Sequence, residues 1–257
     1  MGERNISNVS ARDALEDLKS FSNKARVSDL ARFYRTAPGE YGEGDLFLGV
    51  SVPKTRSVAK KHKELELQEV EKLFSSRLHE ARLCAAIILN LKFKSAKETQ
   101  ERKRIFDFYL KQVRSERVNN WDIVDVSAPW MGVYLTEVEN PMPLLIKLSK
   151  SKSLWQRRVS ILLTFALIRD GDLEPTVTIS KALLEDDHDL IHKAVGWMLR
   201  ELGKKDITLL RKFLADHSHQ MPRTMLRYSI EKLPERERKK WLVGANSLKR
   251  QKSRPIS

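Results

Sequence analysis

Cysteine is nearly absent: Cys84 is the single one in 257 residues. One thiol forms no internal disulfide, which excludes a small oxidised scaffold and suits a reducing compartment. Within "LCAAIILNL" it reads as a small apolar core residue. Long apolar runs are missing as well. None reaches the roughly 18 residues a membrane-spanning helix needs, and "MGERNISNVSARDALEDL" has no apolar stretch of signal-peptide type. These features predict a soluble protein of the cytoplasm, away from membranes and, in a bacterium, associated with the nucleoid. Glycine and proline number only 10 and 9. They fall between apolar-periodic segments and seldom inside them, so helices are uninterrupted and strands have no alternating pattern to start from. Acidic residues are outnumbered, 34 against 48 Lys plus Arg, for a net charge of +14 that points to a polyanionic partner.

The chain also lacks the signatures of several chemistries. There is no G-x-S-x-G elbow, no H-E-x-x-H pair and no G-K-[ST] phosphate loop. His217 and His219 in "DHSHQ" lie two apart with no third ligand nearby in sequence. No metal and no cofactor is expected.

Helical periodicity occupies most of the sequence. After the irregular "RTAPGEYGEGDLFLGVSVPK", Ser51 and Pro53 predict an N-cap and first turn, and roughly ten further helical segments follow with short links. Short links force antiparallel neighbours, and stacked pairs of this kind make helical solenoids. One frame aligns "EARLCAA", "IVDVSAP", "QRRVSIL", "HKAVGWM" and "TMLRYSI", placing small residues at Cys84, Ser127, Ser160, Gly196 and Ser229 at intervals of 43, 33, 36 and 33. The columns on either side of that position are apolar. Two before it stand Arg82, Asp125, Arg158, Ala194 and Arg227, a mostly charged column expected on one exposed face. The expected fold is all-α, a right-handed superhelical solenoid of HEAT/ARM-like antiparallel helix pairs. It fills residues 1–242 as one domain with an irregular Gly-rich loop at about 36–50, followed by a basic, disordered tail at 243–257.

"NNWDIVDVSAPW" stands out against this basic background. Trp121 and Asp125 are four apart and share a helix face. Pro129 cannot donate to the Asp125 carbonyl, so the helix should end or kink there. A carboxylate on a DNA-facing column repels phosphate and needs a partner, for which Arg158 is a candidate, or a cationic target. Trp197 falls on the same stripe of the repeat frame. Two indoles beside one carboxylate suit a cation; equally, Trp197 can be core and Asp125 an ion-pair member.

Five blocks, "FLGVSVPKTR", "NNWDIVD", "LWQRRVSIL", "LIHKAVGWMLRELGKKD" and "MPRTMLRYSIEKLP", together resemble the AlkD-type DNA alkylation-repair glycosylases, HEAT-like repeat enzymes, over about residues 25–242. The resemblance implies a basic concave face that wraps duplex DNA as a monomer, and removal of positively charged N3- and N7-alkylated purines without a dedicated base pocket. Carried over by motif, the family's catalytic Asp falls on Asp125 and its partner Trp on Trp121. The Arg of the W-x-x-R block falls on Arg158, the Trp of the K-A-x-G-W block on Trp197, and Trp155 joins the DNA-contacting set. The implied chemistry is a monofunctional 3-methyladenine/7-methylguanine-type DNA glycosylase. Asp125 stabilises an oxocarbenium ion, Trp121 and Trp197 hold the sugar, and Arg158 anchors a phosphate. Lys54, Arg56, Lys193, Arg223 and Arg227 are candidate phosphate contacts.

The sequence departs from the family where a Tyr is expected in the first helical block: "ARFYRT" offers Phe33 with Tyr34 beside it, and "APGEYGEG" resembles an insertion. Two rival readings are a non-catalytic HEAT-repeat protein that binds damaged or branched DNA, and a helical scaffold for an acidic protein.

Overall fold

Helix punctuation begins with Ser10, whose hydroxyl accepts from the Asp13 amide while Asp13 accepts from the Ser10 amide at 2.8 Å, a reciprocal cap that opens the first helix. The computed structural model describes residues 10–252, with side chains as far as Val243. The chain divides after Met131 into two compact units.

The first unit comprises α1 (Ala11–Ser20), a 3-10 turn (Lys24–Arg26), α2 (Val27–Phe33), α3 (Val52–Lys61), α4 (Leu67–Phe74), α5 (His79–Ser95), α6 (Thr99–Arg114) and α7 (Trp121–Met131). Ser51 is the N-cap of α3 and Pro53 lies in its first turn, as the sequence predicts, although the Ser51 side chain makes no capping bond. The "LCAAIILNL" run lies in α5, which packs against α3, α4, α6 and α7, so it is apolar on nearly every side. Cys84 is fully buried there, and burial pushes its thiol up to about 12, which leaves it an inert core residue.

The Gly-rich segment before α3 is tied down. Glu80, buried in the first turn of α5, accepts from the amides of Leu48, Gly49 and Val50 at 2.9–3.1 Å. Gly49 has φ of +81° and abuts the Asn23 carbonyl, so a Cβ fits neither the backbone nor the space. An isolated parallel bridge, Leu46 to Leu78, is the strand-like pairing present among the described residues.

The second unit runs from a 3-10 turn (Gly132–Glu137) through α8 (Met142–Ser149), α9 (Leu154–Asp170), α10 (Glu174–Ala182), α11 (Asp189–Lys205), α12 (Ile207–His217), α13 (Arg223–Ser229) and α14 (Glu235–Lys252). Gly132 lets the 3-10 turn lie against the Leu163 carbonyl of α9. Helix α9 packs on α8, α10 and α11, and α11 packs on α12 and α13. Helix α14 continues to Lys252, into the span 243–257 expected as a basic tail. Residues 253–257 of that tail lie outside the described residues.

The small-residue column of the repeat frame is real: Cys84, Ser127, Ser160, Gly196 and Ser229 are all buried. The fold is all-α and of helical-repeat type. Among the described residues no helix is long and apolar enough to cross a membrane.

Candidate functional site

Helix α7 starts at Trp121, whose amide donates to the side-chain oxygen of buried Asn120 at 2.8 Å. Ile123, Val124, Ser127, Ala128 and Met131 form its buried face. Trp121 and Asp125, one turn apart, are both half-buried at its margin. The helix does not stop at Pro129 as its sequence suggests. It runs two residues further to Met131, because a proline this close to the C-terminus deprives only the Asp125 carbonyl of its helical donor. The neighbouring Val126 carbonyl receives the Asn90 amide from α5 at 2.7 Å.

An aromatic wall meets Trp121. Tyr34, the residue that caps α2, stacks on its indole with centroids 5.6 Å apart and planes at 20°. Phe33 meets the indole edge-on at 5.7 Å and is 61% exposed. The two aromatics of "ARFYRT" therefore take opposite roles: Phe33 stays at the surface beside Trp121, and Tyr34, 7% exposed, turns inward between Trp121 and Phe47.

Behind this wall lies a buried polar chain that periodicity and motif reading both missed. The Tyr34 hydroxyl donates to Asp122 Oδ2 at 2.9 Å. His79 Nε2 contacts the same oxygen at 2.9 Å, and its Nδ1 faces Asp45 Oδ2 at 3.3 Å. Arg82 pairs with Asp45 Oδ1 at 2.6 Å and donates to the Ser76 carbonyl at 2.8 Å. Asn120 donates to Asp45 at 3.4 Å. Burial opposes a charge on His79, but Asp122 and then Asp45 outweigh it and raise its pKa to about 9. Burial and Asp122 together push the Tyr34 phenol upward. Tyr34, Arg82, Asn120 and Asp122 each stand in a stretch the sequence marks, but nothing in it joins them to His79 and Asp45.

The second unit holds the other predicted residues. Trp197 on α11 is half-buried with its ring 6.2 Å from Phe165 of α9. Arg158 is 4% exposed and donates to the Leu190 carbonyl, and Trp155 is 6% exposed. Both belong to the interior of this unit, not to a surface. The charged column is corrected accordingly: Arg82 and Arg158 are buried, Asp125 is half-buried, Ala194 is core, and Arg227 alone of the five is exposed. The interior arginines find acceptors that lie far off in sequence, which a repeat frame does not register.

Of the candidate phosphate contacts, Lys54 and Arg56 are exposed on α3, with the Lys54 ammonium 4.7 Å over the Phe21 ring. Lys193 is ion-paired with Asp189 at 2.7 Å. Arg223 is exposed and donates to the Leu242 carbonyl at 3.2 Å. Arg227 lines an open groove of about 590 Å³ with Lys193, Thr224 and Tyr228 and with the carboxylates of Asp189 and Glu231. Among the described residues no cluster of His, Cys, Asp or Glu is arranged to hold a metal.

An all-helical repeat protein with a net charge of +14 and a carboxylate one turn from an aromatic wall belongs to the class of basic helical-repeat proteins, whose charge suits a polyanionic partner. Comparison makes this specific. The chain belongs to the DNA alkylation repair enzyme family, whose profile matches residues 14–233. Among solved structures it is similar to a predicted DNA alkylation repair enzyme from Enterococcus faecalis, at 15% identity and a TM-score of 0.65. That match covers 83% of this chain and 97% of the other. At that identity the likeness bears on the fold alone. A search of curated proteins gives no match. Membership supports a DNA repair enzyme with DNA as its substrate.

Proposed function

We propose that the chain is a DNA glycosylase that hydrolyses the N-glycosidic bond of N3- or N7-alkylated purines in duplex DNA. The supporting observation is on α7: the Asp125 carboxylate lies one helical turn from Trp121, both half-buried, with the exposed Phe33 ring edge-on to that indole. An alkylated purine is cationic and leaves readily. Its bond to C1′ breaks with the electron pair passing to the base, positive charge develops on the sugar, and water adds to C1′ with loss of a proton. Asp125 supplies the opposing charge at a half-buried site, where it is less screened than in bulk water. The indole and the exposed Phe33 ring offer a cation or sugar ring an apolar, π-rich contact through their faces.

Duplex DNA carrying one N7-methylguanine tests this, with abasic sites scored after alkaline cleavage. The wild type should release the base. Asp125→Asn should lose about 10²-fold or more in single-turnover rate while duplex binding stays within a few-fold. Trp197→Phe, assayed alongside, should also slow release if the role implied by the family resemblance carries over.

The burial of Arg158, with a guanidinium N–H already committed to the Leu190 carbonyl, favours a second reading: a non-catalytic binder of damaged or branched DNA. Tight duplex or junction binding with no release of N7-methylguanine, N3-methyladenine or bulkier adducts would establish that reading instead.

A further inference from the structure

A closed circuit of contacts surrounds Trp121. Its amide is held by Asn120, Asn120 reaches Asp45, and Asp45 faces His79 and Arg82. His79 reaches Asp122, the residue next to Trp121, and Asp122 accepts from the Tyr34 hydroxyl. The Tyr34 ring returns to the Trp121 indole. The chain of partners draws on α2, the Gly-rich segment, α5 and α7 and is largely buried: His79 is 2% exposed, and the side chains of Asp45, Arg82 and Asp122 are 4, 4 and 13% exposed.

The protonation of His79 follows from what its two nitrogens face. Both Nε2 and Nδ1 point at carboxylate oxygens, and an ionised carboxylate only accepts. A neutral imidazole has one N–H, so one contact would set a lone pair against an anion. The imidazolium satisfies both. Charge counting agrees: Asp45 and Asp122 are balanced by His79 and Arg82 only if His79 is charged, and a neutral ring leaves an uncompensated negative charge in the interior. The other ionisable neighbours do not weaken this conclusion. Glu80, held by the amides of Leu48, Gly49 and Val50, adds a further negative charge and so favours the imidazolium, and the Tyr34 phenol stays protonated.

We propose that His79 is a positioning residue for Trp121: as an imidazolium clamped between Asp45 and Asp122 it fixes the first turn of α7 and, through Tyr34, the plane of the indole. It acts through Asp122 and Tyr34 and does not itself touch a substrate. Its bearing on catalysis rests on the glycosylase reading; its bearing on Trp121 does not.

The test uses the full chain labelled with ¹⁵N-histidine and 5-fluorotryptophan, with resonances assigned by their loss in His79→Gln and Trp121→Phe. Across about pH 6 to about pH 10, both His79 nitrogens should report the imidazolium until a midpoint near 9, and the Trp121 fluorine signal should shift through the same midpoint. Tyr34→Phe should keep the His79 titration and at least halve the Trp121 response. A His79 midpoint near the ordinary 6.5, or a Trp121 signal that stays flat through the His79 transition, overturns the proposal. Single-turnover release of N7-methylguanine should fall about tenfold through that midpoint, and His79→Gln should be slow and free of this alkaline limb. Release that is absent at every pH, for N3-methyladenine and bulkier adducts as well, sinks the glycosylase reading and leaves the two resonances to decide the positioning role.

Discussion

His79 ties the chemistry of one ring to the stability of the first unit. Its folded pKa of about 9 lies above the ordinary value of 6.5, so between those limits the folded state binds a proton that the unfolded state has given up. The stabilisation is complete below about pH 6.5 and is lost as the pH rises through about 9. A gap of that size corresponds to on the order of 3 kcal/mol at full loss. Urea unfolding at neutral pH and at about pH 10 should therefore show a lower midpoint at the higher pH. His79→Gln should be less stable at neutral pH and lose most of that dependence. An alkaline decline of equal size in the variant would assign the effect to other groups. Little of this was legible in advance, because Tyr34 and Asp122 are 88 residues apart and His79 and Asp122 are 43 apart. Spacing rules describe neighbours on one helix, and these partners meet only through tertiary packing.

Between helices, the small residues set how closely neighbours approach. Gly196 of α11 faces the Tyr228 Cβ and the Met225 carbonyl of α13, so an added Cβ would collide with backbone as well as side chain. Gly196→Ala brings two opposing effects. Alanine is the better helix former by roughly 1 kcal/mol, whereas overpacking against a neighbouring backbone costs about 1–3 kcal/mol. The carbonyl belongs to a packed helix and has little freedom to yield, so the collision should win. Thermal unfolding of the second unit should shift down by several degrees, while Gly171→Ala, at a left-handed helix end with open space around it, should be limited to its backbone strain. An unchanged melting temperature in Gly196→Ala would mean that α13 can slide away. This level of structure was the most legible one: five small residues at intervals of 33–43 mark the buried contacts of five helices. The charged column failed because it assumed that arginine means surface. Arg82 and Arg158 are interior, Arg82 ion-paired with the Asp45 carboxylate and Arg158 donating to the Leu190 carbonyl, and an apolar-versus-charged pattern carries no record of such partners.

For the whole molecule, the +14 charge is the property a DNA substrate feels first. Each phosphate neutralised by Lys or Arg releases condensed counterions, so affinity falls with salt at a slope set by the number of contacts. A protein that makes about 6–10 such contacts loses about 10³–10⁵ in affinity between roughly 50 and 200 mM salt. Some of the cations are already engaged: Lys193 pairs with Asp189, Arg157 with Asp186, and Arg82 with Asp45. The exposed Lys54, Arg56 and Arg227 carry less of that internal competition. Fluorescence anisotropy on an undamaged duplex should accordingly show a steep, linear dependence of log affinity on log salt. Arg56→Ala should make the slope shallower by about one contact. Asp125→Asn should leave the slope as it is, because removing a carboxylate adds no phosphate partner. A salt slope near zero would mean that the basic excess does not face DNA, and then the scaffold for an acidic protein would become the reading to test. A steep slope that Arg56→Ala leaves untouched would move the duplex away from α3 and toward the Arg227 groove of the second unit, where the same substitution at Arg227 decides.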